Sequence, residues 1–119
     1  MPQFVTIEKG LGPEGRIAVV RFDRGDGINA LSPEALRQLT HAARSFEDDG
    51  ETSVVVLAGH PRAFSAGFDK DAEGRSRRAM DLGALRQHLK LRPRLTRACQ
   101  EMERITIGAI ERFAAAAAF

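Results

Sequence analysis

An unbroken β-branched and apolar run, Thr52-Ser53-Val54-Val55-Val56-Leu57-Ala58-Gly59, admits few environments. It reads as a strand covered on both faces, as in a sheet with helical crossovers. The segments before it supply neighbours. Phe4-Val5-Thr6-Ile7-Glu8 alternates in period two, Gly10 to Gly15 form a turn, and Ile17-Ala18-Val19-Val20-Arg21-Phe22 returns, which together predict a hairpin. Asp23 to Ile28 is polar and glycine-containing, hence a loop. Ser32-Pro33-Glu34 then predicts a helix start, with a hydroxyl cap, proline at the first helical position and an acid at the positive end of the dipole. Leu36, Leu39, Ala43 and Phe46 mark its buried stripe, and Asp48-Asp49-Gly50 ends it. Strand, helix, strand in this order predicts a right-handed crossover between parallel strands.

Ligands of such sheets sit beyond the carboxyl ends of the strands, and there lies Arg62-Ala63-Phe64-Ser65-Ala66-Gly67-Phe68-Asp69. Its small residues let a ligand approach the backbone. A strand ending in Phe-Ser-Ala-Gly can aim free N–H groups at a carbonyl oxygen that becomes negative during reaction, which is an oxyanion hole. Downstream, Glu73 to Arg78 is a charged loop. Leu82, Leu85, Leu89, Leu95, Cys99 and Met102 mark apolar helix positions, with Pro93 forcing a kink or restart. Ile105-Thr106-Ile107-Gly108-Ala109-Ile110-Glu111 is a further strand, followed by the alanines Ala114 to Ala118.

Among 119 residues, 18 basic and 16 acidic side chains give a formal charge of +2, too slight to argue for nucleic acid or a membrane surface. Most of the basic residues lie in the second half, where they read as solvated helix faces. The single cysteine, Cys99, leaves no internal disulfide and falls in an apolar helical stripe, so it reads as core rather than nucleophile. No signal-like start or membrane-length apolar run occurs, and a cytoplasmic protein without membrane contact is expected. His41, His60 and His88 show no metal-ligand spacing and read as surface residues. Asp23, Asp26 and Asn29 read as turn or cap residues, and Asp69 as a loop-holding hydrogen-bond acceptor.

These segments together resemble the crotonase superfamily, the enoyl-CoA hydratase/isomerase family, along essentially the whole chain. The pieces that carry the resemblance are the first hairpin, Ile28-Asn29-Ala30-Leu31-Ser32, Val54 to Gly59, Ala63 to Asp69 and Ile105 to Glu111, in the family's order. The resemblance implies an α/β fold, a crotonase-like spiral of ββα units of which residues 1–119 are the amino-terminal half of one domain. It implies a coenzyme A thioester as substrate and no permanently bound cofactor. Phe68 would give one oxyanion N–H, and Ala117, at the family's triple-glycine element, the other. Ser65, Ala66, Gly67, Phe68 and Asp69 would meet coenzyme A, with Ala30 lining the pantetheine pocket and Arg62 or Lys70 facing its phosphates.

The chain departs from the pattern in three places. Lys70 directly follows Asp69 where the family has an intervening apolar residue, Arg112 stands where glycine is usual, and Ala117 replaces a glycine. The resemblance also puts the two glutamates that deliver water and proton beyond Phe119, so the 119 residues alone are expected not to hydrate an enoyl thioester. The intact form is expected to be a hydratase-like enzyme, assembled as a homotrimer or a dimer of trimers. The alternative is a non-catalytic acyl-CoA-binding or assembly member of the same fold.

Overall fold

The computed structural model describes residues 3–25, 28–65, 67, 80–112 and 114. In chain order they form β1 (Val5–Leu11), β2 (Ile17–Phe22), α1 (Pro33–Arg44), β3 (Val54–Ala58), α2 (Leu82–Leu89), α3 (Leu91–Glu101) and β4 (Ile105–Ala109). The strands make one four-stranded sheet in sequence order. The expected hairpin is present: β1 pairs antiparallel with β2, and its register slips between Glu8 and Leu11. β2 with β3 and β3 with β4 are parallel pairs. The mixed α/β architecture expected from the sequence is thus observed.

The helices start where the side chains dictate. Ser32 caps α1 by accepting from the Ala35 N–H, with Pro33 and Glu34 in the first turn, a cap worth about 1 kcal/mol. α2 and α3 are separated at Lys90, and Pro93 sits in the first turn of α3, where a missing N–H breaks no helical bond. Pro93 therefore marks a restart. The core lies between the sheet (Val5, Ala18, Val20, Phe22, Val55), α1 (Ala35, Leu36, Ala42, Ala43, with Phe46 just after it) and α3 (Leu91, Ala98, with Met102 just after it).

Three sequence expectations need correction. The β3 run is covered on one face only among the described residues: Val55 is buried, whereas Val54 and Val56 face the same way as Ile105 and Ile107, which are 65% and 50% exposed. The reason is topological. Crossovers of one hand that step the same way across a sheet place their helices on the same side, and α1 packs on α3 accordingly. Second, Leu82 and Leu89 are exposed, because the main neighbour of α2 is α3 rather than the sheet. Third, His88 is not a surface residue: it is buried on α2.

Polar ties close the perimeter. The Gln38 side-chain oxygen accepts from the Phe4 and Val5 N–H groups at 2.7 and 3.2 Å, fastening β1 to α1. Asp49, after α1, accepts from the Thr52 hydroxyl (2.7 Å) and the Glu51 N–H (2.8 Å) and pairs with Lys9 (3.0 Å). These donors, the Thr52 hydroxyl foremost, hold its carboxyl well below the usual carboxylate range. A depressed carboxylate contributes stability that is complete above its unfolded value, 3.8, and is lost as pH falls below it. Acid unfolding followed by circular dichroism below about pH 4 is expected to flatten in Asp49→Asn, while an unchanged acid limb would show that Asp49 does not carry this pH dependence.

Arg112 has φ +66°, in the left-handed region that favours glycine. Arg112→Gly should relieve about 1 kcal/mol of backbone strain, partly offset by the added freedom of the unfolded chain. Urea denaturation is expected to show a net gain of about 0.5 kcal/mol, whereas a loss would place the glycine-like conformation elsewhere.

Candidate active site

Beyond the carboxyl end of β3 the chain folds back sharply. Gly59 is buried, and its carbonyl accepts from the Arg21 guanidinium at 2.8 Å. A Cβ at Gly59 would lie 2.4 Å from the Phe64 carbonyl oxygen, so glycine is required by the close approach of the returning backbone. Between them a tight turn closes with the Ala63 N–H on the His60 carbonyl (3.1 Å) and the Arg62 N–H on His60 Nδ1 (3.0 Å). The Arg62 side chain is therefore carried on an exposed corner.

Residues 65–67 are laced to residues 29–31. The Ser65 hydroxyl donates to the Asn29 carbonyl at 2.6 Å and accepts from the Gly67 N–H at 3.1 Å. The Gly67 carbonyl accepts from the Leu31 N–H at 2.6 Å. Gly67 has φ +92°, a conformation in which a side chain is strained. Ser65 is 3% exposed, so its hydroxyl braces the turn and what it can offer a ligand is main chain.

Asn29 has a larger role than the turn or cap expected from the sequence. It is fully buried at φ +55°, a conformation asparagine tolerates better than most residues. Its amide nitrogen donates to the carbonyls of Phe22 (2.6 Å) and Phe64 (3.3 Å), and its side-chain oxygen accepts from the Arg24 N–H (2.8 Å). One side chain thus joins the end of β2, the loop before α1 and the turn after β3. Arg24 adds a bond from its guanidinium to the Ala30 carbonyl at 2.9 Å. Asp23, by contrast, has the turn role expected, accepting from the Gly25 N–H at 2.7 Å.

Ala114 approaches the same place, forming a parallel bridge with Ser65. Of the residues singled out in the sequence, Ala30, Ser65 and Gly67 are brought together. Ala66, Phe68, Asp69, Lys70 and Ala117 lie outside the described residues, as does Asp26.

A cavity of about 230 Å³ lies between the sheet and the helices, reached by Leu31, Phe64 and Ser65 on the turn side and by Leu95, Cys99 and Met102 from α3 and its end. Apart from Ser65 and Cys99 its lining is wholly apolar. Burial pushes the Cys99 thiol up from its ordinary pKa, which suits packing rather than nucleophilic chemistry. Among the described residues, no group of His, Cys, Asp and Glu is gathered as for a metal ion, and no helix is long and apolar enough to cross a membrane.

The family model for enoyl-CoA hydratase/isomerase matches residues 12–119. The chain belongs to the enoyl-CoA hydratase/isomerase family. A Rhizobium meliloti protein named "Probable enoyl-CoA hydratase" is 36% identical over 62 residues, covering 51% of this chain and 24% of the relative. The 4-chlorobenzoyl coenzyme A dehalogenase-2 of an Arthrobacter species is 38% identical over 53 residues, covering 44% of this chain and 19% of that protein. The crystal structure of an enoyl-CoA hydratase from Shewanella pealeana superposes with a TM-score of 0.78 at 18% identity, over 92% of this chain and 39% of the other. The four-stranded sheet with its helices is therefore the crotonase fold, and the chain spans about two fifths of that relative's structure.

Proposed function

We propose that the turn at Ser65–Gly67 holds the thioester group of an acyl-CoA and stabilises its enolate, as one half of an oxyanion hole. The observation that carries this reading is the lacing of that turn to residues 29–31. The Gly67 N–H is already spent on Ser65 and the Leu31 N–H on Gly67, and in this proposal the donor is the next residue in sequence, Phe68. The Ser65–Ala114 bridge supports a second donor from the alanine run, at Ala117.

In hydration of a 2-enoyl thioester, the water oxygen bonds to Cβ and the Cα=Cβ electron pair moves towards the carbonyl. Negative charge collects on the thioester oxygen, and a proton is then delivered to Cα. Two fixed N–H donors stabilise that oxygen without reorganising, each worth about 10²–10³ in rate. In this proposal the acid and base are glutamates outside these 119 residues, the intact protein is a homotrimer or a dimer of trimers, and Ala30, Ala66 and Asp69 contribute to the coenzyme A cradle. Isomerisation passes through the same enolate and is served by the same donors.

Calorimetric titration with acetyl-CoA tests the reading. Gly67→Pro fixes φ near −65° and removes the N–H, and is expected to abolish binding. Ser65→Ala, which keeps the backbone but frees the turn, is expected to weaken binding about tenfold, the equivalent of one hydrogen bond. Unchanged affinity in both variants, with native circular dichroism, would sink it.

A further inference from the structure

The peptide group that joins Ala30 to Leu31 is hydrogen-bonded at both ends. Its carbonyl accepts from the Arg24 guanidinium at 2.9 Å, and its N–H donates to the Gly67 carbonyl at 2.6 Å. The Gly67 carbonyl belongs in turn to the peptide group whose N–H is that of Phe68. Two hydrogen bonds and two peptide groups therefore connect a guanidinium cation to the donor of the proposed oxyanion hole. A peptide group is conjugated, so a donor that draws electron density onto its oxygen makes its N–H a stronger donor. Bonds in such a chain strengthen one another by about 10–30% each.

The guanidinium is held in place for this. Arg24 is half-buried, its main-chain N–H donates to the Asn29 side-chain oxygen at 2.8 Å, and its guanidinium carbon lies 5.6 Å from the centre of the Phe4 ring, a cation–π distance. Phe4 is itself fixed, with its N–H on the Gln38 side-chain oxygen (2.7 Å) and its carbonyl accepting from the Asp23 N–H (2.9 Å). The bond from Arg24 to Ala30 is charge-assisted, a class roughly twice as strong as neutral hydrogen bonds.

We propose that Arg24 is a positioning residue for the oxyanion: through the Ala30–Leu31 and Gly67–Phe68 peptide groups it orients and strengthens the N–H that meets the thioester oxygen. The inference rests on the reading of the Ser65–Gly67 turn as the thioester site. Arg24 touches neither substrate nor reacting atoms in this account, and its charge reaches them only through the main chain. A polarised donor gains more from a full negative charge than from a neutral carbonyl, so the effect is larger for the enolate than for the bound thioester.

The test compares butyryl-CoA with the butyl thioether of coenzyme A, since both carry the same coenzyme and chain and their affinity ratio reports the carbonyl oxygen alone. Arg24→Met removes charge and donor, and is expected to lower the ratio about twofold. Infrared difference spectra of bound butyryl-CoA, ¹³C-labelled at the thioester carbonyl, are expected to show a smaller downward shift of the carbonyl stretch in this variant. Arg24→Lys keeps the charge and should restore most of both readouts, whereas Arg24→Gln, polar but neutral, should fall with Arg24→Met. All are read on protein with native circular dichroism, and if Arg24→Met does not fold, the contrast between Lys and Gln decides. An unchanged ratio and frequency in Arg24→Met, a wild-type value in Arg24→Gln, or a loss in Arg24→Lys as large as in Arg24→Gln would overturn the role of Arg24 and leave the thioester site standing. If the wild type itself does not distinguish thioester from thioether, the thioester reading fails and this inference fails with it.

Discussion

Asn29→Leu is expected to lower stability by about 4 kcal/mol or more, a large share of what a small domain has in hand. The substitution strips the Phe22 and Phe64 carbonyls and the Arg24 N–H of their partner in a place water does not reach. Each buried group left unsatisfied costs about 1–3 kcal/mol. Leucine at φ +55° adds the strain of a left-handed backbone, about 1–2 kcal/mol. Asn29→Asp separates the contributions, since it keeps the acceptor for Arg24 and the tolerance of that backbone while losing the donors. Urea denaturation is expected to rank the wild type above Asn29→Asp, and Asn29→Asp above Asn29→Leu. Stability of Asn29→Leu within about 1 kcal/mol of the wild type, the size of a single ordinary hydrogen bond, would show that the turn is held by something other than this side chain.

Gly59→Ala is expected to act on the site more than its single methyl suggests. The new Cβ meets the Phe64 carbonyl oxygen, Cα and carbonyl carbon at 2.4, 2.8 and 3.0 Å, and backbone atoms cannot swing aside as a flexible side chain can. The strand end and the returning chain must separate, at a cost of about 1–3 kcal/mol. Because Phe64 adjoins Ser65, the shift pulls the hydroxyl away from Asn29 and Gly67, and thioester affinity should fall together with stability. Thermal unfolding and acetyl-CoA titration measure the two effects. A loss of stability with binding intact would show that the turn tolerates displacement of its approach strand.

Much of this architecture is written locally in the chain. Ser32, Pro33 and Glu34 declare the start of α1, the alternation from Phe4 declares the hairpin, and the Val54 run declares a parallel strand. What covers each face is not local. The exposure of Ile105 and Ile107 follows from both crossovers stepping the same way, which no window of sequence contains. The apolar positions Leu82 and Leu89 look like core because periodicity reports a face, and only the placement of α2 beside α3 decides what that face meets. For His88 the same packing decides in the opposite direction.

The site divides in the same way. Ser65 and Gly67 stand out as small residues after a strand, which is a pattern readable from spacing. Asn29 does not, because a buried asparagine and a solvated turn asparagine are identical in sequence. Its importance comes from three carbonyl and amide groups that reach it from segments up to 35 positions away. The left-handed φ of Arg112 is a partial exception, since the resemblance expects a glycine at this position and so anticipates an unusual backbone.

The central claim is that backbone N–H groups at the turn meet the thioester oxygen. Competitive titration of butyryl-CoA against the butyl thioether of coenzyme A, which has the same chain but no carbonyl oxygen, tests this most directly. The thioester is expected to bind about tenfold more tightly, as one or two hydrogen bonds require, and Ser65→Ala, which frees the turn, is expected to narrow the difference. Equal affinity of the two ligands for the wild-type protein would contradict the claim.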